Sequence, residues 1–209
     1  MALSNFGELK TSIASELNRD DMTAKIPDFV TMLEATVNRE TRFRNRRMET
    51  KTTIAYTGTD EGTLPSDFIE ARVTTWKSTP HVRLEYVTPS QFQNTYTTDT
   101  PGTPVNFTIY GDTLQIGPYP NADQNVELLY YQRLTALSAD ADTNWLLQYH
   151  PDVYLYGSLV HSAPWLGEDA RLQTWLGLYD RAAAEVAGDD ARARWNGAPV
   201  RPQLSVTIV

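Results

Sequence analysis

The sequence predicts an α+β protein: a four-helix bundle with a small antiparallel β-domain inserted between its N- and C-terminal helical pairs, and an extended C-terminal tail. Three observations carry this expectation. Apolar residues recur at helical spacing before residue 47 and again after residue 144. Period-2 alternation and turn signals fill the stretch between. Helices and strands are thus segregated along the chain, which argues α+β rather than alternating α/β. The divisions are an N-terminal helical hairpin at 1–47, an inserted antiparallel β-domain at 48–137, helices completing the bundle at 138–197, and the tail at 198–209.

Ser4 caps a first helix whose stripe is Phe6, Leu9, Ile13 and Leu17, and Asn18-Arg19-Asp20-Asp21 stops it. A second helix starts near Pro27, a residue suited to the first turn, with Ile26, Phe29/Val30, Leu33 and Val37 as its apolar face. It runs towards Phe43. The short polar link makes the two an antiparallel hairpin.

Thr52 to Thr57 reads as a strand closed by Gly58, and Leu64-Pro65-Ser66-Asp67-Phe68 as a turn. Ile69–Trp76 and Val82–Val87 are β-rich. Thr88 caps a helical turn with Pro89 at its first position. Val105, Phe107 and Ile109 alternate with polar residues, Gly111-Asp112 follows, and Leu114 and Ile116 alternate again, so a two-residue hairpin is expected there. Val126 to Gln132 is apolar on both faces, as a central or sandwiched strand is.

Helix returns at Asn144 with Trp145, Leu146 and Tyr149. Pro151 restarts it, and the stripe continues through Val153, Tyr156, Leu159/Val160 and Ala163. Pro164 to Gly167 makes a bend, and Glu168 and Asp169 open a long helix striped by Leu172, Trp175/Leu176, Tyr179, Ala183 and Val186, with Asn196-Gly197 as its stop. Trp145, Trp165 and Trp175 fit the bundle stripes.

A chain of 209 residues with 41% apolar residues has enough material for one large core or two small ones. The absence of cysteine rules out disulfides, thiolate zinc sites, iron–sulfur clusters and cysteine nucleophiles. The net charge of −8 gives no global basic footprint for nucleic acid. No run of apolar residues is long enough to span a bilayer and no signal peptide is recognisable, so a soluble protein made in a cytoplasm is expected.

Catalytic patterns are wanting. His81, His150 and His161 have no metal-binding spacing and read as a solvated turn residue, a helix cap and a structural histidine. Glu70, Glu85, Asp112 and Glu127 lie on or near strands, but nothing in the sequence pairs them as a glycosidase requires. Gly58-Thr59-Asp60-Glu61-Gly62 lacks the lysine and serine of a phosphate loop, and no Gly-x-Ser-x-Gly elbow occurs. The expectation is a non-enzyme with no catalytic residue, cofactor or metal.

Two features point to partners. Arg39, Arg42, Arg44, Arg46 and Arg47 bunch at and just past the end of the second helix, more than the dipole there needs. Guanidinium forks suit carboxylates of a neighbouring chain, DNA phosphates or plain solvent. The tail alternates at Leu204, Val206 and Ile208, as a strand that closes the protein's own sheet or adds to a partner's edge.

Three stretches together resemble a known family: Arg46-Arg47-Met48-Glu49-Thr50; Leu64-Pro65-Ser66-Asp67-Phe68 with Leu84-Glu85-Tyr86-Val87; and Asn144-Trp145-Leu146-Leu147 leading to His150-Pro151-Asp152-Val153-Tyr154-Leu155-Tyr156-Gly157. The last runs on into Ala163-Pro164-Trp165-Leu166 and Tyr179-Asp180-Arg181-Ala182. In order and spacing they are similar to the adaptor proteins of tailed bacteriophages, the head-to-tail connector or tail tubular protein A-like proteins. The resemblance implies a non-enzymatic virion protein forming a homo-oligomeric ring of twelve copies. It implies portal protein and tail nozzle or tail-tube protein as partners, and a channel that DNA traverses during ejection without sequence-specific binding. Made in the bacterial host cytoplasm, such a protein ends in the virion, with no membrane partner. An acidic lumen suits transit, because tight phosphate contacts would hold the DNA. On this reading the arginine cluster is a subunit or partner interface and Leu204, Val206 and Ile208 belong to a portal-binding tail. The competing expectations are a tail-completion or baseplate component and, from another class, a carbohydrate-binding or hydrolysing module, the latter prompted by Tyr and Trp among strands.

Overall fold

Asn5 starts the first helix of the computed structural model, which describes residues 3–167 and 170–194. Its side chain accepts the Glu8 amide, while Ser4, the expected cap, instead binds the Glu8 carboxylate. The resulting helix α1, Phe6–Leu17, ends on Asn18 in the left-handed region. A 3-10 turn leads into α2, Ile26–Arg39, with Pro27 in its first turn. This helix stops at Arg39, short of Phe43, and single 3-10 turns at Thr41–Phe43 and Arg46–Met48 follow.

Later come α4 (Trp145–Tyr149), α5 (Pro151–His161), α6 (Ala163–Leu166) and α7 (Leu172–Arg194). Asn144 caps α4 by accepting the Leu147 amide. The opening of the last helix expected at Glu168 and Asp169, and its stop at Asn196-Gly197, lie outside the described residues. Described residues up to Asn45 and from Leu137 onward form one unit. Within it α5 is central, touching α1, α2, α4 and α7. Gly157 permits that closeness: a Cβ there would stand 2.5 Å from Leu33 Cδ1 and 3.0 Å from a ring carbon of Tyr179. Two expected core residues are not core. Leu176 is 39% and Trp165 42% exposed, although Trp165 stacks on Phe29 with 5.0 Å between centroids.

Residues 46–136 form the other unit. Its strands are β1 (Glu49–Tyr56), β2 (Glu61–Thr63), β3 (Phe68–Trp76), β4 (Val82–Tyr86), β5 (Pro101–Gly102), β6 (Asn106–Tyr110), β7 (Thr113–Gly117), β8 (Tyr119–Pro120) and β9 (Gln124–Gln132). Helix α3, Pro89–Thr95, lies between β4 and β5 in the chain and begins with a reciprocal Thr88–Gln91 capping box. Seven strands make one sheet in the order β1-β9-β3-β4-β6-β7-β2, and β5 pairs with β8. The Gly111-Asp112 hairpin is present, with Ile109 opposite Leu114 and φ of +54° at Gly111. Strand β9 is an interior strand, paired on both sides with β1 and β3, and Val126, Leu128 and Tyr130 on its inner face are buried.

The expected architecture, a four-helix bundle carrying a small antiparallel insert, is not what forms. The fold is mixed: seven helices among the described residues and a seven-stranded sheet curled into a nearly closed barrel. Two physical features account for the difference. Pro151, Pro164 and Gly167, the last at φ +68°, divide the C-terminal stretch into four helices of unequal length, α4 to α7, and α5 packs at the middle of its neighbours rather than as a member of one of two pairs. The sheet, for its part, encloses a core of its own. Ile54, Tyr56, Trp76, Leu84, Phe107, Leu114, Ile116, Val126 and Leu128 all turn inward. The edge strands β1 and β2 approach at Gly62, where a Cβ would lie 2.5 Å from Ile54 Cγ2. The Tyr56 hydroxyl donates across the interior to the Leu114 carbonyl at 2.9 Å. Nor is the sheet wholly antiparallel, because β4 and β6, separated by α3 in the chain, pair in parallel at Glu85↔Asn106 and Tyr86↔Phe107.

Candidate functional site

The five arginines do not form one patch of equivalent side chains. Arg39, at the end of α2, turns back on its own helix, donating to the Ala35 carbonyl and the Thr36 hydroxyl. Arg42 is built into the helical unit. It pairs with Glu40, reaches Asp180 Oδ1 of α7 at 3.1 Å, and lies over the Tyr179 ring with 5.1 Å to its centroid. Arg44 is half-buried and donates to the Asn38 carbonyl at 2.9 Å. Arg46 and Arg47 belong to the other unit, on the turn Arg46–Met48, and both are exposed. Packing thus divides the run into three arginines that serve α2 and its C-terminal turn and two that stand on an exposed turn leading into β1. Leu204, Val206 and Ile208 lie outside the described residues.

The histidines are dispersed. His81 Nδ1 lies 2.7 Å from the Ser78 carbonyl in an exposed turn. His150 sits at the cap position of α5 but makes no side-chain cap bond, and its Nε2 is 3.7 Å from Asp189 Oδ2. His161 is half-buried, and burial with the Arg39 guanidinium nearby holds it below the usual imidazole range. Among the described residues no group of three or more His, Asp or Glu could hold a metal ion. Glu85 and Glu70 are exposed, while Glu127 is occupied by Lys51 and Lys77, which hold its carboxyl below the usual range.

The polar centre that the sequence reading missed is Glu34. The residue is 6% exposed, and its carboxyl oxygen Oε1 accepts the Leu137 amide at 3.0 Å and the Tyr154 hydroxyl at 2.9 Å. Asn144 Nδ2 in turn donates to that hydroxyl at 2.6 Å. Burial pushes Glu34 up from the ordinary carboxyl range, opposed by its two donors. The network ties α2 to the point where the chain re-enters the helical unit and to the caps of α4. Its signal was available: Glu34 stands four residues after Val30 and three before Val37, on the buried stripe. It is structural in character, joining α2 and α5 to the irregular segment at Leu137 and the cap residue Asn144.

Two concavities mark the strand-rich unit. One, of about 500 Å³, opens where β3 and β4 part, beside Arg72, Arg83 and Tyr86. The other, of about 490 Å³, lies between α3 and the β6–β7 hairpin, with Phe92, Tyr96 and Tyr110 in its walls. No described helix is long and apolar enough to cross a membrane.

Comparison with curated proteins finds no match. The family model of the SU10 adaptor protein matches residues 4–203, from the first helix to the start of the tail. Covered over nearly all of its length, the chain belongs to the SU10 adaptor protein family and is a structural, adaptor-type protein of the bacteriophage virion.

Proposed function

We propose that the protein is a ring-forming head-to-tail connector, joining the capsid portal on one side to the tail nozzle or tube on the other and contributing to the channel through which DNA passes. The family match over residues 4–203 carries this reading. Two further observations support it: the residues whose chemistry was weighed for catalysis are dispersed or engaged in folding, and Arg46 and Arg47 stand on an exposed turn. The protein acts without catalysis or cofactor, in about twelve copies as the family resemblance implies, and the lumen passes DNA without reading its sequence. The low net charge of −8 suits that role, since a strongly basic lumen would retain phosphates. Residues Leu204, Val206 and Ile208 of the tail engage the portal, with many weak tails acting together through effective concentration. The test is electron microscopy of the purified chain with and without isolated portal. Rotationally symmetric rings that stack on portal, and that detach when residues 203–209 are deleted, are the expected result. A chain that binds tail-tip assemblies and ignores portal would instead make it a baseplate or tail-completion component.

A further inference from the structure

The groove between α3 and the β6–β7 hairpin has the chemistry of a proline-recognition site, and the chain carries a matching segment. Its walls are aromatic. Half-buried Tyr96 is backed by buried Phe92, the two rings tilted with 4.8 Å between centroids, and Tyr110, 42% exposed, stands across from Tyr96 with Pro89. The wall is rigid. The capping box fixes the start of α3, the Tyr96 hydroxyl donates to Asn106 Oδ1 at 2.6 Å, and the two rings lie so close on β7 that a Cβ at Gly117 would be 2.7 Å from Tyr96. The rim is acidic. Glu61 accepts the Tyr110 hydroxyl at 2.5 Å, a bond that pushes this tyrosine up to about 12 and keeps it a donor. Asp60 stands next to it in the chain, accepting from Gln115 of the groove wall at 2.7 Å. Rigid aromatic walls with a carboxylate at the edge suit a polyproline helix bearing a cation, because such a helix is pre-extended and offers flat rings to flat rings.

Pro199-Val200-Arg201-Pro202 is such a segment. Prolines three apart share one face of a polyproline helix, and Arg201 supplies the charge opposite to Glu61. We propose that Pro199–Pro202 of one copy occupies the α3/hairpin groove of a neighbouring copy, linking subunits side to side. The inference rests on the ring reading above for its second copy. Pro199 follows the last described residue of α7 by five positions, so its reach is at most about 18 Å and the neighbour's groove must lie close to that helix end.

The lack of native cysteine makes the test clean. Full-length Gln93→Cys, altered on the exposed rim, is mixed with full-length Val200→Cys under mild oxidation. A disulfide-linked pair containing one of each is expected, with its yield cut at least fivefold by Arg201→Glu in the second chain and reduced by raised salt. Glu61→Gln with Tyr110→Ala in the first chain should lower it similarly, and a melting curve of that variant checks that it is folded. Three results overturn the inference: a yield indifferent to Arg201→Glu, rings on the grid with no mixed pair, or a chain carrying both Gln93→Cys and Val200→Cys that links to itself when dilute. The ring reading fails separately, if mixed pairs form yet no closed assembly is seen, since a pair needs only two chains.

Discussion

Glu34 is a charged residue on the inside of an amphipathic helix, and its three-way network explains why it is tolerated. A buried carboxyl without donors would be costly, whereas here the Leu137 amide and the Tyr154 hydroxyl meet it. Its folded pKa is nevertheless raised, burial being the leading cause. The stability it contributes by holding its proton is therefore fully present below the unfolded value of about 4.3 and is lost as pH rises through the folded value. Wild type should lose ground against Glu34→Gln as the pH rises above the unfolded value, because the amide keeps an acceptor oxygen without ionising. Urea unfolding of both proteins across that range measures the difference. A gap that stays constant, or that widens in favour of wild type with rising pH, would show that Glu34 is ionised at no cost in the fold.

At the scale of elements, helical periodicity names a stripe but not its width. Leu33 is fully buried on α2 against Gly157 of α5, so Leu33→Ala should cost about 2–5 kcal/mol through the cavity it leaves. Leu176 falls on the same apolar stripe of α7 by spacing, yet it is 39% exposed, and Leu176→Ala should stay within about 0.5 kcal/mol of wild type. Urea midpoints of the two variants test the contrast; equal losses would contradict the packing of α7. The arginine run shows the same limit. Its spacing marked a cluster, but the 3-10 turns after α2 decide which guanidinium packs on Tyr179 and which stands on an exposed turn.

For the whole molecule, the division of the arginines predicts two separable outcomes. Arg42→Glu removes an ion pair with Asp180 and a stacked ring, placing a carboxylate beside two others, and should lower the melting temperature of the isolated chain. Arg46→Glu with Arg47→Glu, on an exposed turn, should weaken ring formation or portal docking at physiological salt in chains that calorimetry shows to be still folded. Calorimetry of each variant, paired with imaging of its assemblies, checks both halves. Normal assembly by the doubly reversed protein would remove Arg46 and Arg47 from the interface.

The sequence by itself determined most of the local structure: the stripes of α1 and α2, the Thr88 cap, the Gly111-Asp112 hairpin and the interior place of β9. Each depends on residues near in the chain, whose period, capping groups or backbone freedom act over a few positions. The order and spacing of short motifs also carried the resemblance to phage adaptors, which the family match then supports over residues 4–203. Only the tertiary structure decided the architecture. Whether strands cover a bundle or curl about their own core depends on which residues meet across 58 positions, as Tyr56 and Leu114 do, and alternation alone is the same in both cases. Glu34 meets Leu137 across 103 positions for the same reason. Contacts at such separations are set by packing and hydrogen-bond satisfaction over the whole chain, and no local pattern encodes them.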